Sequence, residues 1–134
     1  MPEMSALQSW LDAYVDAWRS NDATKIAPLF SEDALYAWHP YDTEPARGRE
    51  AIARAWLEKP DDPGDWECRY EALAVTGDVG VAQGWTRYRA RADKPAREYK
   101  NVFVMRFDRE GRCREFTEWY FDRARAQGGT APTS

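Results

Sequence analysis

Glu98-Tyr99-Lys100-Asn101-Val102-Phe103-Val104-Met105-Arg106-Phe107 and Arg114-Glu115-Phe116-Thr117-Glu118-Trp119-Tyr120-Phe121 flank the turn Asp108-Arg109-Glu110-Gly111, and this hairpin decides the fold. Side chains along a strand point alternately to opposite faces. Tyr99, Asn101, Phe103 and Met105 therefore share one face with Phe116, Glu118 and Tyr120. Val102, Val104 and Trp119 share the other. Both faces are apolar, and one carries an amide and a carboxylate. The pattern predicts a curved sheet with one face lining a pocket and the other covered, by a second copy of the chain.

The same alternation extends upstream. Residues 66–76 and 79–91 read as strands joined by the tight turn Gly77-Asp78, and residues 97–107 and 112–121 complete a four-strand meander. Ala82, Gly84, Thr86 and Tyr88 fall on the face of Asn101, and Trp85 falls on the face of Val102. Ahead of the meander the period changes. Leu7, Trp10, Leu11, Tyr14 and Trp18 recur at helical spacing, with Ser5 and Gln8 placed as a capping box. Asp22 opens a second short helix carrying Ile26, Leu29 and Phe30 inward, shortened by Pro28. Residues 34–38 read as a short strand and residues 41–47 as a loop. Gly48-Arg49-Glu50 opens a third helix with Ile52, Ala55 and Trp56 on one stripe, and the run from Lys59 to Asp65 reads as a mobile connection. Helices followed by a meander give an α+β layer architecture. Residues 1–123 form one domain and residues 124–134 a flexible tail.

Three helices can cover one face of such a sheet. The set with Asn101 and Glu118 is assigned to the helix side, because polar groups under helices are kept where a cavity or function needs them. The other face, with Trp85, Val102, Val104 and Trp119, would leave an apolar patch too large for a monomer, so a homodimer through it is expected.

The chain has 134 residues, the length of one domain, with seven Trp, seven Tyr and five Phe. That aromatic excess suits a cavity for a flat or apolar ligand, and equally a ring-filled core and dimer contact. Net charge is −4, and Asp93 and Glu98 interrupt the arginines around 87–97, which argues against nucleic acid as a partner. Cys68 and Cys113 lack metal or redox spacing, and His39 is the single histidine, so no metal or other cofactor is expected. There is no secretory signal or membrane-length apolar run. A cytoplasmic protein is expected.

Residues 5–122 resemble the nuclear-transport-factor-2-like superfamily, which includes ketosteroid isomerases, scytalone dehydratase and SnoaL-like polyketide cyclases. The carriers are the first helix with Tyr14, the segment Phe30-Ser31-Glu32-Asp33-Ala34, the helix start Gly48-Arg49-Glu50-Ala51-Ile52, and Val104-Met105-Arg106-Phe107-Asp108-Arg109-Glu110-Gly111-Arg112. The resemblance implies a cone-shaped α+β barrel: three N-terminal helices on a strongly curved, mainly antiparallel sheet, with a ligand cavity at the wide end and dimerisation through the outer face. In the isomerases a tyrosine and a protonated aspartic acid hold an oxyanion while a second aspartate shuttles the proton. Tyr14 falls on that tyrosine. Trp38 falls on the shuttling aspartate, with His39 beside it, and Phe103 on the oxyanion-binding acid. Two of the three groups are missing, so ketosteroid isomerase activity is not expected.

Glu118 is the sharpest chemical candidate. A carboxylate among rings is poorly solvated, which raises its pKa and suits it to proton transfer near neutrality. Its structural alternative is a pairing with an arginine or a tyrosine hydroxyl. His39, near the expected cavity mouth, is a second proton carrier or else a solvated loop residue. Tyr14 can donate to a ligand oxygen or bond to Tyr36 or Glu118. Asn101 offers a donor and an acceptor to a ligand or to neighbouring backbone. Trp18, Tyr36, Trp38, Trp56, Tyr88, Phe103, Phe116 and Tyr120 are candidate walls for a substrate, or core. The expected function is cofactor-independent acid/base chemistry (isomerisation, dehydration, cyclisation or hydration) on a small apolar oxygenated molecule. A non-catalytic binder of a hydrophobic metabolite and a dimeric interaction protein with a filled core are the alternatives.

Overall fold

The fold is built on one curled sheet whose concave face receives the long N-terminal helix. The computed structural model describes residues 3–58 and 63–128. Helix α1 spans Met4–Ser20 and α2 spans Ala23–Ile26, running on as a 3-10 turn over Ala27–Leu29. Strand β1 is Phe30–Ala37, β2 is Ala46–Arg47, and α3 is Arg49–Glu58. A 3-10 turn at Pro63–Asp65 leads into β3 at Trp66–Thr76, β4 at Val79–Tyr88, β5 at Arg97–Phe107 and β6 at Cys113–Asp122, and α4 follows at Arg123–Gly128.

The sheet order is β2-β1-β6-β5-β4-β3, open at β2 and β3, so the sheet curls without closing into a barrel. The meander β3–β6 is antiparallel throughout. Strand β1 joins it in parallel along β6, with Tyr36 opposite Phe116. Residues 46–47, expected as loop, pair with β1 through Leu35 and Tyr36. Register on the hairpins is as alternation requires: Asn101 faces Gly84 and Tyr120, and Phe103 faces Ala82 and Glu118. The turn at Gly77 takes a left-handed conformation, φ 57°, which glycine adopts without the Cβ penalty.

The helix side is the face bearing Asn101. Phe103, Met105, Phe107, Phe116, Ala82 and Thr86 are all buried there beneath Leu7, Trp10, Leu11 and Tyr14 of α1. Trp10 stacks on Tyr14 and donates its indole N–H to the Leu29 carbonyl at 3.0 Å, locking α1 to the turn after α2. The capping box expected from Ser5 and Gln8 does not form. Glu3 holds the N-cap position without a side-chain bond, and Gln8 instead reaches the sheet, donating to the Tyr70 carbonyl (3.1 Å) and accepting from the Ala72 N–H (2.8 Å). A side chain one turn into a helix is free to leave its own backbone when a sheet edge offers both a donor and an acceptor. Asp22 caps α2 through the Thr24 N–H, as expected.

Other boundaries move for local reasons. Strand β4 stops at Tyr88, three residues short of expectation, because Arg91 and Lys94 turn back on each other through paired backbone bonds. Residues 124–128 of the expected tail are helical as part of α4, started by the Asp122 carboxylate accepting from the Ala124 N–H. Residues 129–134 of the tail, and 59–62 of the expected mobile connection, lie outside the described residues. No helix among the described residues is long and apolar enough to cross a membrane.

Candidate functional site

At the open end of the curl, between α1, α3 and the inner face of the sheet, lies a cavity of about 810 Å³. Tyr14 and Trp18 reach it from α1, Tyr36 from β1, Trp56 from α3, and Tyr88, Asn101, Phe103, Glu118 and Tyr120 from the meander. Trp38 and His39 line it just beyond the end of β1. Every expected site residue except Phe116 therefore borders this space. Phe116 lies beneath it, stacked on the Tyr36 ring at 4.4 Å and on Tyr14 at 5.5 Å, and is 1% exposed. Its ring supports the tyrosines that face the cavity, and it forms none of the cavity wall.

Glu118 sits at the end of a line of inner side chains from the four strands of the meander. A single file of hydrogen bonds crosses them: Tyr70 and Thr86 hydroxyls 2.5 Å apart, Thr86 Oγ1 to Asn101 Oδ1 at 2.9 Å, and Asn101 Nδ2 to Glu118 Oε2 at 2.7 Å. The direction is set from the far end. A carboxylate only accepts, so Asn101 must present its amide nitrogen to Glu118 and its oxygen to Thr86. Thr86 then donates to Asn101 and takes its own bond from the Tyr70 hydroxyl. Glu118 has no further hydrogen-bond partner among the described residues. Burial pushes its carboxyl up to about 7, with the Asn101 bond holding it back from rising further. No cation contributes to the shift, so the group is poised by desolvation rather than by pairing.

A second polar pair faces the same space. The Tyr14 and Tyr36 hydroxyls are 2.8 Å apart and buried. Burial raises both phenols well above their ordinary range, and the charge of Glu118 adds to the rise in each. Both therefore stay protonated, and once one hydroxyl has donated to the other, one O–H remains to serve as a donor. The rings are held rigidly: Trp56 packs edge-on against Tyr14 at 5.1 Å, and Phe103 at 5.7 Å. Trp18 stacks on Trp66 at 3.9 Å and closes the cavity beside α1.

His39 occupies the rim. It is exposed, and its Nδ1 accepts from the Tyr41 N–H at 3.1 Å, which places its ring proton on Nε2. Tyr70 and Thr86 were not legible as site residues. They resemble ordinary inward strand positions, and only cross-strand pairing shows that they continue the chain of bonds to Glu118. Lys94, Arg97 and Tyr99 also line the cavity without a sequence signal beyond their charge or ring. Among the described residues no three of His, Cys, Asp and Glu stand together as a metal site.

A curled six-strand sheet over a long helix, with an aromatic cavity at its open end, defines the nuclear-transport-factor-2-like class. A family model for the SnoaL-like domain matches residues 11–116, and the chain belongs to that family. Its backbone is similar to that of an NTF-2 like protein of unknown function from Burkholderia xenovorans LB400, with TM-score 0.66, 18% identity and 94% of each chain covered. It is also similar to a ketosteroid isomerase-like protein from Erwinia carotovora atroseptica SCRI1043, with TM-score 0.61, 15% identity, and 89% of this chain and 96% of that one covered. At such identities the likeness is one of fold. No curated protein matches the chain.

Proposed function

We propose that this chain is a cofactor-independent acid/base enzyme that moves a proton next to the carbonyl of a small, largely apolar molecule. The observation that carries the reading is Glu118. It is a carboxyl group walled by rings, with one oxygen held by Asn101 and a pKa near 7. A base of that strength is half ionised at neutrality and still basic enough to take a carbon-bound proton. The C–H electron pair passes into the carbonyl as an enolate, whose oxygen accepts from the Tyr14–Tyr36 pair, while the proton rests on Glu118. Returning that proton to a different carbon isomerises the substrate. Expelling a β-hydroxyl, which takes that proton from Glu118 and leaves as water, dehydrates it, and attack of the enolate on a second carbonyl, whose oxygen then takes the proton, cyclises it. Asn101 acts as a positioning residue, because its amide is committed to Glu118 and Thr86. His39, exposed at the rim, suits proton exchange with solvent better than attack on the bound molecule. The working unit is a homodimer through the outer sheet face, where Trp85, Val102, Val104 and Trp119 stand away from the helices.

Solvent deuterium tests this without knowledge of the product. In D2O, a panel of apolar cyclic and aryl ketones is followed by proton NMR for loss of α-hydrogen signal. The wild type should exchange at least one ketone faster than buffer, Glu118→Asp should keep part of that rate, and Glu118→Gln should lose it. Exchange that survives Glu118→Gln would refute the role of Glu118. Binding without exchange across the panel would leave the chain a non-catalytic pocket.

A further inference from the structure

Two cations border the cavity, and neither has an anionic partner among the described residues. Arg97, the first residue of β5, lays its guanidinium over the Tyr88 ring at 4.4 Å. Its Nε is buried and makes no hydrogen bond. Lys94 sits on the tight turn that ends the β4–β5 connection, fixed by backbone bonds to Arg91 of 2.8 and 3.2 Å. Neighbouring acids are already engaged: Glu98 by Arg87 and Arg123, and Asp65 by Arg91. Glu58, the other acid lining the cavity, forms no ion pair with either cation. A buried guanidinium N–H without an acceptor is unfavourable, and a planar guanidinium fixed on a ring presents its donors as a fork that matches a carboxylate.

We propose that Arg97, assisted by Lys94, is a carboxylate subsite at the cavity mouth. The substrate of the preceding reading, on which this inference rests, is then an amphiphilic monoanion with its carboxylate at the rim and its apolar, oxygen-bearing body inside. Electrostatics fixes the orientation. Glu118 at depth repels a second carboxylate and suits the uncharged reacting centre, while the rim carries the positive charge. Arg97 and Asn101 stand four positions apart along β5, roughly 13 Å of extended strand. A molecule reaching both ends of the site is therefore on the order of 10 Å long, the length of an arylalkanoic acid rather than of acetate. The Tyr88 ring lies edge-on to Tyr99 at 6.0 Å, and Tyr99 edge-on to Tyr120 at 5.8 Å. They form an aromatic floor between the two ends.

Isothermal titration with 6-phenylhexanoate and its methyl ester isolates the charge, because the two share one hydrophobic body. The wild type should bind the acid at least tenfold more tightly than the ester. Arg97→Gln should bring the two affinities within about twofold while leaving ester binding in place. Arg97→Lys should keep part of the preference, and Lys94→Gln should reduce it by a smaller factor. Circular dichroism on each variant separates a lost subsite from a lost fold, and if Arg97→Gln does not fold, Arg97→Lys and Lys94→Gln carry the test. Equal affinity for acid and ester in the wild type, no binding of either, or a preference unchanged by all three substitutions would overturn the inference. The Glu118→Gln variant should retain the preference for the acid. A charge preference without deuterium exchange would retain the subsite and reject the catalytic reading, whereas exchange without a charge preference would do the reverse.

Discussion

Replacing Glu118 by glutamine removes the buried acid of the cavity while preserving its shape and its acceptor for Asn101. In the folded protein the carboxyl titrates at about 7 against a usual 4.5, the rise being caused by burial. Below pH 4.5 the folded and unfolded chains both carry the proton, and the group is neutral in its effect. Between pH 4.5 and 7 the unfolded chain has released the proton and the folded chain has not. Folding then takes up a proton, and stability falls by about 1.4 kcal/mol per pH unit. Above pH 7 both forms are ionised, and the loss levels off at about 3 kcal/mol. Glutamine carries no such penalty. Urea melts of wild type and Glu118→Gln from pH 4 to 8.5 should therefore diverge, with the variant gaining about 3 kcal/mol on the wild type across the range. In thermal melts of a domain this size the gain corresponds to about 10 °C. Subtracting one protein from the other cancels every titration the two share. Stability curves that run parallel from pH 4 to 8.5 would show that Glu118 is solvated in the folded chain. The reasoning about its environment, and with it the case for catalysis, would fail.

Other substitutions test the supports of the site. Asn101→Leu removes the Glu118 bond and strands the Thr86 hydroxyl, so denaturant melts should show a loss of about 1–3 kcal/mol. Because the Asn101 bond holds the Glu118 pKa down, any deuterium exchange should move to higher pH in the same variant. Gly84→Ala adds a Cβ that collides with the Arg69 carbonyl and the Tyr70 ring and comes within 2.8 Å of Tyr70 Cα. Backbone cannot swing aside as a side chain can, so a loss of roughly 3 kcal/mol and displacement of Tyr70 are expected, read by chemical denaturation. Sedimentation velocity should find a dimer, and Val104→Arg, which places a charge on the outer face between Val81 and Thr117 of the neighbouring strands, should convert it to monomer. A monomeric wild type would refute the dimer.

The strands, the main helices and the two faces of the sheet follow from the sequence alone. Burial repeats every second residue along β5 from Asn101 to Phe107 and at helical spacing along α1, and such periods survive without knowledge of the partner. Alternation separates the two faces without saying which lies under the helices; the polar pair Asn101 and Glu118 chose the side, and it agrees with the structure, in which Phe103, Met105 and Phe116 on the same face are buried. Tertiary structure alone decided the rest. The parallel pairing of β1 with β6 joins segments some eighty residues apart, and no local period encodes which remote strand will be its neighbour. Gln8 reads as a cap because the capping motif is local, and it becomes a tether because the sheet backbone lies within reach. Phe116 and Glu118 share a face, yet one is core and the other borders the cavity, because alternation assigns a side and says nothing of depth. The bonds running from Tyr70 through Thr86 and Asn101 to Glu118 cross four strands, and only strand register sets the four polar groups in line.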